Sequence, residues 1–253
     1  MHMKKKIVSA AFAVLSCCVA TWAVPAVAAD TLVVGVTTTG VPFTFMDTAT
    51  QKPSGAMVDL AAAIAEDNGM SVQFEQVAFS ALIPSLTSGK INIISAGMLA
   101  TDKRREVVDF SLPVYTYGEG MFVAATDPKE YLLSDLKGEV VGAQIGTSFA
   151  EALKATGTFS EVKLYDSIAD IMRDVKLGRI KAGFGDQPIV SYQISKNPDL
   201  GIRLVKSYQP LKPGDVSIAV AKDNAALLEK VNASIRKLQE TGKLSEILAK
   251  YSL

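Results

Sequence analysis

Apolar positions recur along the chain in two rhythms. Short continuous or alternating apolar runs at residues 32–36, 72–77, 91–96, 120–125, 140–144, 161–165, 182–186, 202–206 and 217–221 read as β-strands. Stretches of helical period lie between them. Residues 57–68 set Val58, Ala61, Ile64 and Ala65 on one face and stop at Gly69. Ser167-Ile168-Ala169-Asp170 reads as a capping box, with Ile171, Met172 and Val175 on the stripe behind it and a stop at Gly178. Residues 225–240 carry Leu228, Val231, Ile235 and Leu238 and end at Gly242; Leu244, Ile247 and Leu248 then predict a short terminal helix.

Such alternation predicts an α/β fold of mostly parallel sheets flanked by helices. The pattern also restarts. One βαβ set ends near Ser111-Leu112-Pro113 and another begins at Leu136-Lys137-Gly138-Glu139-Val140. Two lobes of about a hundred residues fit this better than one large sheet. Ligands of open α/β sheets sit beyond the carboxyl ends of the strands, so two facing lobes enclose a cleft. Helix N-termini there offer unpaired N–H groups, which favours small anionic or zwitterionic ligands.

Of the 253 residues 49% are hydrophobic, enough for a globular core. The 26 basic residues balance 26 acidic ones, and no basic patch points to nucleic acid. Residues 1–28 change the picture more. Lys4, Lys5 and Lys6 precede an apolar run over 7–19, too short for a bilayer span of about 20 residues. Ala26-Val27-Ala28 follows as a small-x-small cleavage site, so residues 1–28 read as a signal peptide. Val14-Leu15-Ser16-Cys17 is a poorer lipidation site than the cleavage site downstream of it.

Cleavage after Ala28 leaves 23 basic residues against 26 acidic ones. It also removes His2, Cys17, Cys18 and Trp22, the only residues of their types. Serine–histidine and cysteine–histidine nucleophiles, disulfides and the common zinc sites go with them. Carboxylates, Arg, Lys, hydroxyls and backbone amides remain for function, and no cofactor or metal is expected.

Several stretches then resemble one family. Residues 81–92 (ALIPSLTSGKIN) are similar to the helix-to-strand signature of periplasmic polar-amino-acid-binding proteins of ABC importers, the family 3 extracellular solute-binding proteins. Similar again are Ala96-Gly97-Met98, Thr101-Asp102-Lys103-Arg104-Arg105, Val108-Asp109-Phe110-Ser111, Asp135-Leu136-Lys137-Gly138, residues 141–148 (VGAQIGTS), Gly178-Arg179-Ile180 and Ile218-Ala219-Val220. Each is weak alone. Their shared order and spacing over residues 30–253 is not.

The resemblance implies the two-lobed type II periplasmic binding protein fold, with residues 30–115 plus 220–253 in one lobe and 116–219 in the other. A hinge would close the lobes on a ligand. It implies that Arg104 clamps the ligand's α-carboxylate, for which a planar guanidinium is suited. The plainer reading makes Lys103-Arg104-Arg105 a solvated helix face. Asp186 matches the acid that receives the α-ammonium; otherwise it is an N-cap before Gln187-Pro188. Gly146-Thr147-Ser148 would offer N–H groups and the Thr147 and Ser148 hydroxyls to the carboxylate, or be only a capped turn. The carbonyl of Gly97 or Ala96 could accept from the ammonium. Asp59 matches a further family acid and reads as structural.

Three departures from the family bear on the ligand. Gly40 stands where an aromatic usually stacks on it. Leu99 replaces a hydroxyl residue two positions after Gly97, and Phe149 replaces a polar residue after Ser148. Phe79 could still stack, and Phe43, Phe45, Tyr115 and Tyr117 are candidate lining residues whose alternative fate is the core. An amino acid or derivative with a bulky apolar part is expected. Lys181, where the family often has Asp, is assigned to the surface of the second lobe.

The implied partners are that ligand and an ABC permease, in the periplasm, with the protein a monomer. A carboxylate-based enzyme of the same fold, like a periplasmic dehydratase, is the rival class. Ser134-Asp135-Leu136-Lys137 matches S-x-x-K by chance, lacking its companion motifs. A sensor module and an adhesion role lack supporting features.

Overall fold

The computed structural model describes residues 30–253, so the expected signal peptide lies outside the described residues. β1 (Thr31–Val36) opens the chain. The short strands β2 (Thr39–Gly40), β3 (Thr44–Met46) and β4 (Pro53–Ser54) follow and pair antiparallel among themselves. Next come α1 (Ala56–Asp67), β5 (Ser71–Gln76), α2 (Leu82–Thr87), β6 (Ile93–Ile94), α3 (Asp102–Arg105) and β7 (Val108–Phe110).

β8 (Tyr115–Tyr117) leads out of this part into β9 (Glu119–Ala124), β10 (Val140–Gln144), α4 (Ser148–Ala155) and β11 (Glu161–Tyr165). α5 (Ile168–Lys176), β12 (Ala182–Asp186), α6 (Gln187–Lys196) and β13 (Ile202–Leu204) complete the stretch. The chain returns through β14 (Gly214–Val216) to β15 (Ala219–Ala221), α7 (Ala225–Glu240) and α8 (Lys243–Lys250).

The strands form two five-stranded sheets, β5-β1-β6-β15-β7 and β11-β10-β12-β9-β13. Two-stranded β8–β14 forms an antiparallel ribbon where the chain leaves the first sheet for the second and later returns to the first. The expected parallel pairing holds for β1 with β5 and β6, and for β10 with β11 and β12. The rest of each sheet is antiparallel. β15 pairs with β6 and β7, and β9 with β12 and β13, in opposite directions. β9 and β15 come straight off the ribbon, without the long crossover that a parallel pair needs.

Both faces of each sheet are covered. Leu32, Val34 and Val36 pack in one cluster with Leu60 and Ile64 of α1 and with Val231 and Ile235 of α7. Leu82 and Leu86 of α2 cluster with Ile91 and Ile94. In the second sheet α5 contributes Ile171, Met172 and Val175, while Phe149 and Leu153 of α4 pack with Val141 and Phe184. Each such large side chain contributes about 1.5–3 kcal/mol on burial. The α5 cap forms as expected at its backbone end, where Ser167 Oγ accepts from Asp170 N–H at 3.2 Å. The Asp170 carboxylate accepts from the Ser167 hydroxyl at 2.7 Å, closing the box through side chains.

A buried carboxylate holds the return path. Glu119 on β9 accepts from the Tyr208 hydroxyl at 2.7 Å and from the Leu211 and Lys212 N–H groups. The loop before β14 is thereby tied to the second sheet.

Candidate functional site

Carboxyl ends of strands from both sheets meet at one small cavity of about 20 Å³, room for about one water as the lobes stand. Thr37, Thr39, Gly40 and Phe43 line it from the turns after β1, and Ala96 and Gly97 from the turn after β6. From the other side come Gln144 at the end of β10, Asp186 at the end of β12, Ile168 opening α5 and Ile189 in α6. Phe79 and the ribbon's Tyr117 complete the wall.

Asp186, Tyr117 and Gly97 converge there. Asp186 is 8% exposed, and its Oδ1 accepts a hydrogen bond from the Tyr117 hydroxyl. That hydroxyl also stands 3.0 Å from the Gly97 carbonyl oxygen. Burial pushes the Asp186 carboxyl up to about pKa 6, against the Tyr117 hydrogen bond and the Arg104 charge, which favour its ionised form. Burial likewise raises the Tyr117 phenol well above its usual value, reinforced by the neighbouring Asp186 charge. Gly97 has φ of 70°, and a Cβ there would meet the Phe43 ring at 3.1 Å. Glycine therefore lets the chain turn and bring its carbonyl to the cavity.

Arg104 is the second buried charge, 9% exposed on α3. Its Nη1 donates to Leu99 O at 2.6 Å and its Nη2 to Gly146 O at 3.0 Å. The guanidinium lies 5.6 Å from the centre of the Phe79 ring, within cation–π range. Burial lowers its pKa, opposed by Tyr117 and Asp186. Leu99 belongs to the turns of the first sheet and Gly146 to those of the second, so one side chain ties both. Approach there is close. A Cβ on Gly146, whose φ is 83°, would come 2.9 Å from Ser80 Cα. Lys103 and Glu151 add an exposed ion pair at 2.8 Å across the same line.

The model of the bacterial extracellular solute-binding proteins, family 3, matches residues 32–253. The chain belongs to this family. It is 32% identical to ABC transporter arginine-binding protein 1 of Escherichia coli (strain K12), over 92% of this chain and 96% of that protein. It superposes with a TM-score of 0.81 on an ancestral arginine-binding protein bound to arginine, at 33% identity, covering 89% of this chain and all of that one. An ancestral amino-acid-binding protein described as a precursor of cyclohexadienyl dehydratase is also similar, with a TM-score of 0.79 and 27% identity over 87% of this chain and 95% of that one.

In this family member the candidate residues divide into those at the cavity and those beside it. Gly40, Phe43, Phe79, Ala96, Gly97 and Asp186 line it. Asp186 occupies the N-cap position of α6, with Pro188 in the first turn, but its side chain makes no capping hydrogen bond. Arg104, Thr147 and Ser148 line an adjoining groove instead. Thr147 caps α4, accepting from Ala150 N–H at 3.3 Å and donating to Gln144 O at 2.7 Å. Ser148 Oγ is buried with no hydrogen-bond partner.

Two expectations are corrected. Phe149 lines neither the cavity nor the groove beside it: in the first turn of α4 it is 1% exposed in the core of the second sheet. The Leu99 side chain is buried in the apolar cluster, and only its carbonyl serves Arg104. Asp59 is structural as read, bonded to Lys250 at 2.6 Å and to the Tyr251 hydroxyl at 3.0 Å. Lys181 pairs with Asp127 at 2.7 Å on the second lobe.

Sequence reasoning passed over Thr37, Thr39, Gln144, Ile168 and Ile189 as lining residues. Position carried the signal for two of them, since Gln144 ends a predicted strand and Ile168 follows a predicted cap. Among the described residues no three His, Cys, Asp or Glu side chains come together to hold a metal. No helix there is long and apolar enough to cross a membrane.

Proposed function

We propose that the protein is a periplasmic receptor that captures an α-amino acid or amino-acid derivative between its lobes and delivers it to an ABC transporter permease. The lobes divide at the β8–β14 ribbon, with residues 30–115 and the chain from β15 onward in one and the stretch between in the other, and hinge there around the ligand as a monomer. One observation carries the reading. At the junction of the two sheets lie a buried guanidinium, Arg104 of α3, which reaches Gly146 O, and a buried carboxylate, Asp186 of β12, which meets the Tyr117 hydroxyl beside Gly97 O. They match the two ends of a zwitterion, and binding one needs no catalytic base. Charge-assisted hydrogen bonds contribute about 1.5–3 kcal/mol each, so a few supply much of the roughly 8 kcal/mol of micromolar affinity.

The lining argues for a neutral ligand side chain, in contrast to the arginine of the named relatives. Asp186 is the sole carboxylate among the described residues lining the cavity, and the ammonium claims it. Phe43, Phe79, Ile168 and Ile189 surround the remaining space. The next acid outward is Asp166, in the adjoining mouth beside Thr37 and Gln144.

A thermal-shift screen against the L-amino acids and their derivatives, confirmed by calorimetry, tests this. The expected hit is a neutral amino acid or derivative that is recovered unchanged and no longer stabilises Arg104→Ala or Asp186→Asn. Best binding by arginine, lost in Asp166→Asn, would overturn the neutral side chain. Turnover of the bound compound would overturn the receptor reading.

A further inference from the structure

We propose that the Tyr117 hydroxyl is a built-in stand-in for the ligand's ammonium, which an α-amino group must displace before it can bind. The inference rests on the zwitterion reading above and adds a residue that decides which ligands enter. Tyr117 belongs to the ribbon, with its backbone opposite Gly214. Its ring packs 5.6 Å from Phe43, and its hydroxyl reaches Asp186 on one sheet and the Gly97 carbonyl from the turn of the other. Those two oxygens are the acceptors an ammonium would use. In the described arrangement the phenol joins the lobes through them.

The exchange is uneven in a useful way. A phenol has one proton and can donate to only one of two acceptors at a time. An ammonium has three N–H donors, serves both acceptors together, and carries the charge that a buried carboxylate lacks. A true α-amino acid therefore gains at this point. A carboxylic acid without the amino group leaves Tyr117 in place and gains nothing from Asp186. The phenol thus sets a threshold: the ligand must break the Tyr117–Asp186 bond, so apparent affinity falls by the fraction of molecules in which that bond is formed.

Tyr117→Phe tests the proposal because it removes one oxygen and keeps the ring against Phe43. Calorimetry would compare wild type, Tyr117→Phe and Arg104→Ala against the L-amino acids and derivatives of the screen above. For the best binder, the same molecule lacking its α-amino group serves as the control. Tyr117→Phe is expected to bind the amino acid at least about tenfold tighter, with the deaminated control unchanged. Without ligand it should give a larger radius of gyration by small-angle X-ray scattering than wild type.

Equal or weaker binding by Tyr117→Phe, with wild-type binding present and lost in Arg104→Ala, would overturn the stand-in and leave amino-acid capture intact. In that case the hydroxyl helps to hold the ligand or lies aside from it. Failure of every amino acid and derivative to bind both wild type and Tyr117→Phe would overturn both readings.

Discussion

The two buried charges of the cleft are held in opposite ways. Arg104 has its charge served by neutral backbone oxygens, Leu99 O and Gly146 O, and by the face of Phe79. None of these partners titrates, so its state is the same at any ordinary pH. Asp186 sits at equal depth with a phenol as its hydrogen-bond partner, and burial leaves its carboxyl titrating at about pKa 6. The guanidinium end is a fixed anchor. The carboxylate end is adjustable, and its charge answers to pH and to Tyr117. Equal burial does not mean equal settlement of charge; the number of committed partners decides it.

Removing the fixed anchor should have the largest effect. Arg104→Ala takes away the guanidinium and strands two carbonyls, and calorimetry should show amino-acid affinity reduced more than about a hundredfold. A loss below tenfold would mean that the groove beside Thr147 and Ser148 holds the carboxylate without Arg104.

The adjustable end should show itself through pH, with opposite signs for folding and for binding. The folded pKa of Asp186, about 6, lies above its ordinary 3.8, so the protonated form favours folding. This stabilising share is fully present below about pH 4 and is lost as pH rises through 6, on the order of 3 kcal/mol in all. Unliganded wild type should therefore lose thermal stability relative to Asp186→Asn between pH 4 and 7. A constant gap between their melting temperatures over that range would show that the carboxylate is hydrated. Ammonium capture needs the ionised form, so affinity should fall in wild type as pH drops below about 6.

The smallest effect belongs to the exposed pair across the same line. Lys103 and Glu151 side chains are 73% and 61% exposed, where ion pairs are screened and contribute little. Lys103→Ala should change affinity less than about threefold. A larger change would make the outer pair, rather than Arg104, part of what holds the lobes together.

Legibility from the chain followed the same division between settled and adjustable parts. β10, β11 and β12 fall on their predicted residues because each is a continuous or alternating apolar run fenced by turn signals, and α7 because its stripe and Gly242 mark its extent. The small β2–β4 sheet and the ribbon have strands of two or three residues, too short to show a period. Antiparallel entry of β9 and β15 was hidden for another reason: their partners are distant in sequence. Only resemblance singles out Arg104 and Asp186 in the sequence, since a charge run and a strand-ending acid have plainer uses. Tyr117 was one aromatic among several, and nothing local distinguishes a core tyrosine from one whose hydroxyl meets a buried acid. Phe149 misled because a motif ending at Ser148 was extended one residue into a helix whose period turns that position inward.

The order of strands in the first sheet also bears on how the molecule can assemble. β15, at residues 219–221, lies between β6 and β7 rather than at an edge. That sheet therefore stays split until residues 219–221 are present. The other sheet draws all its strands from residues 119–204 and can close from a contiguous stretch. The inner segment is thus free to condense first, with low loop-closure cost, while the segment synthesised earliest must wait for a strand supplied almost last. In the interval β6 and β7 present unpaired edges, the part of the molecule most exposed to mispairing on its way to the native state.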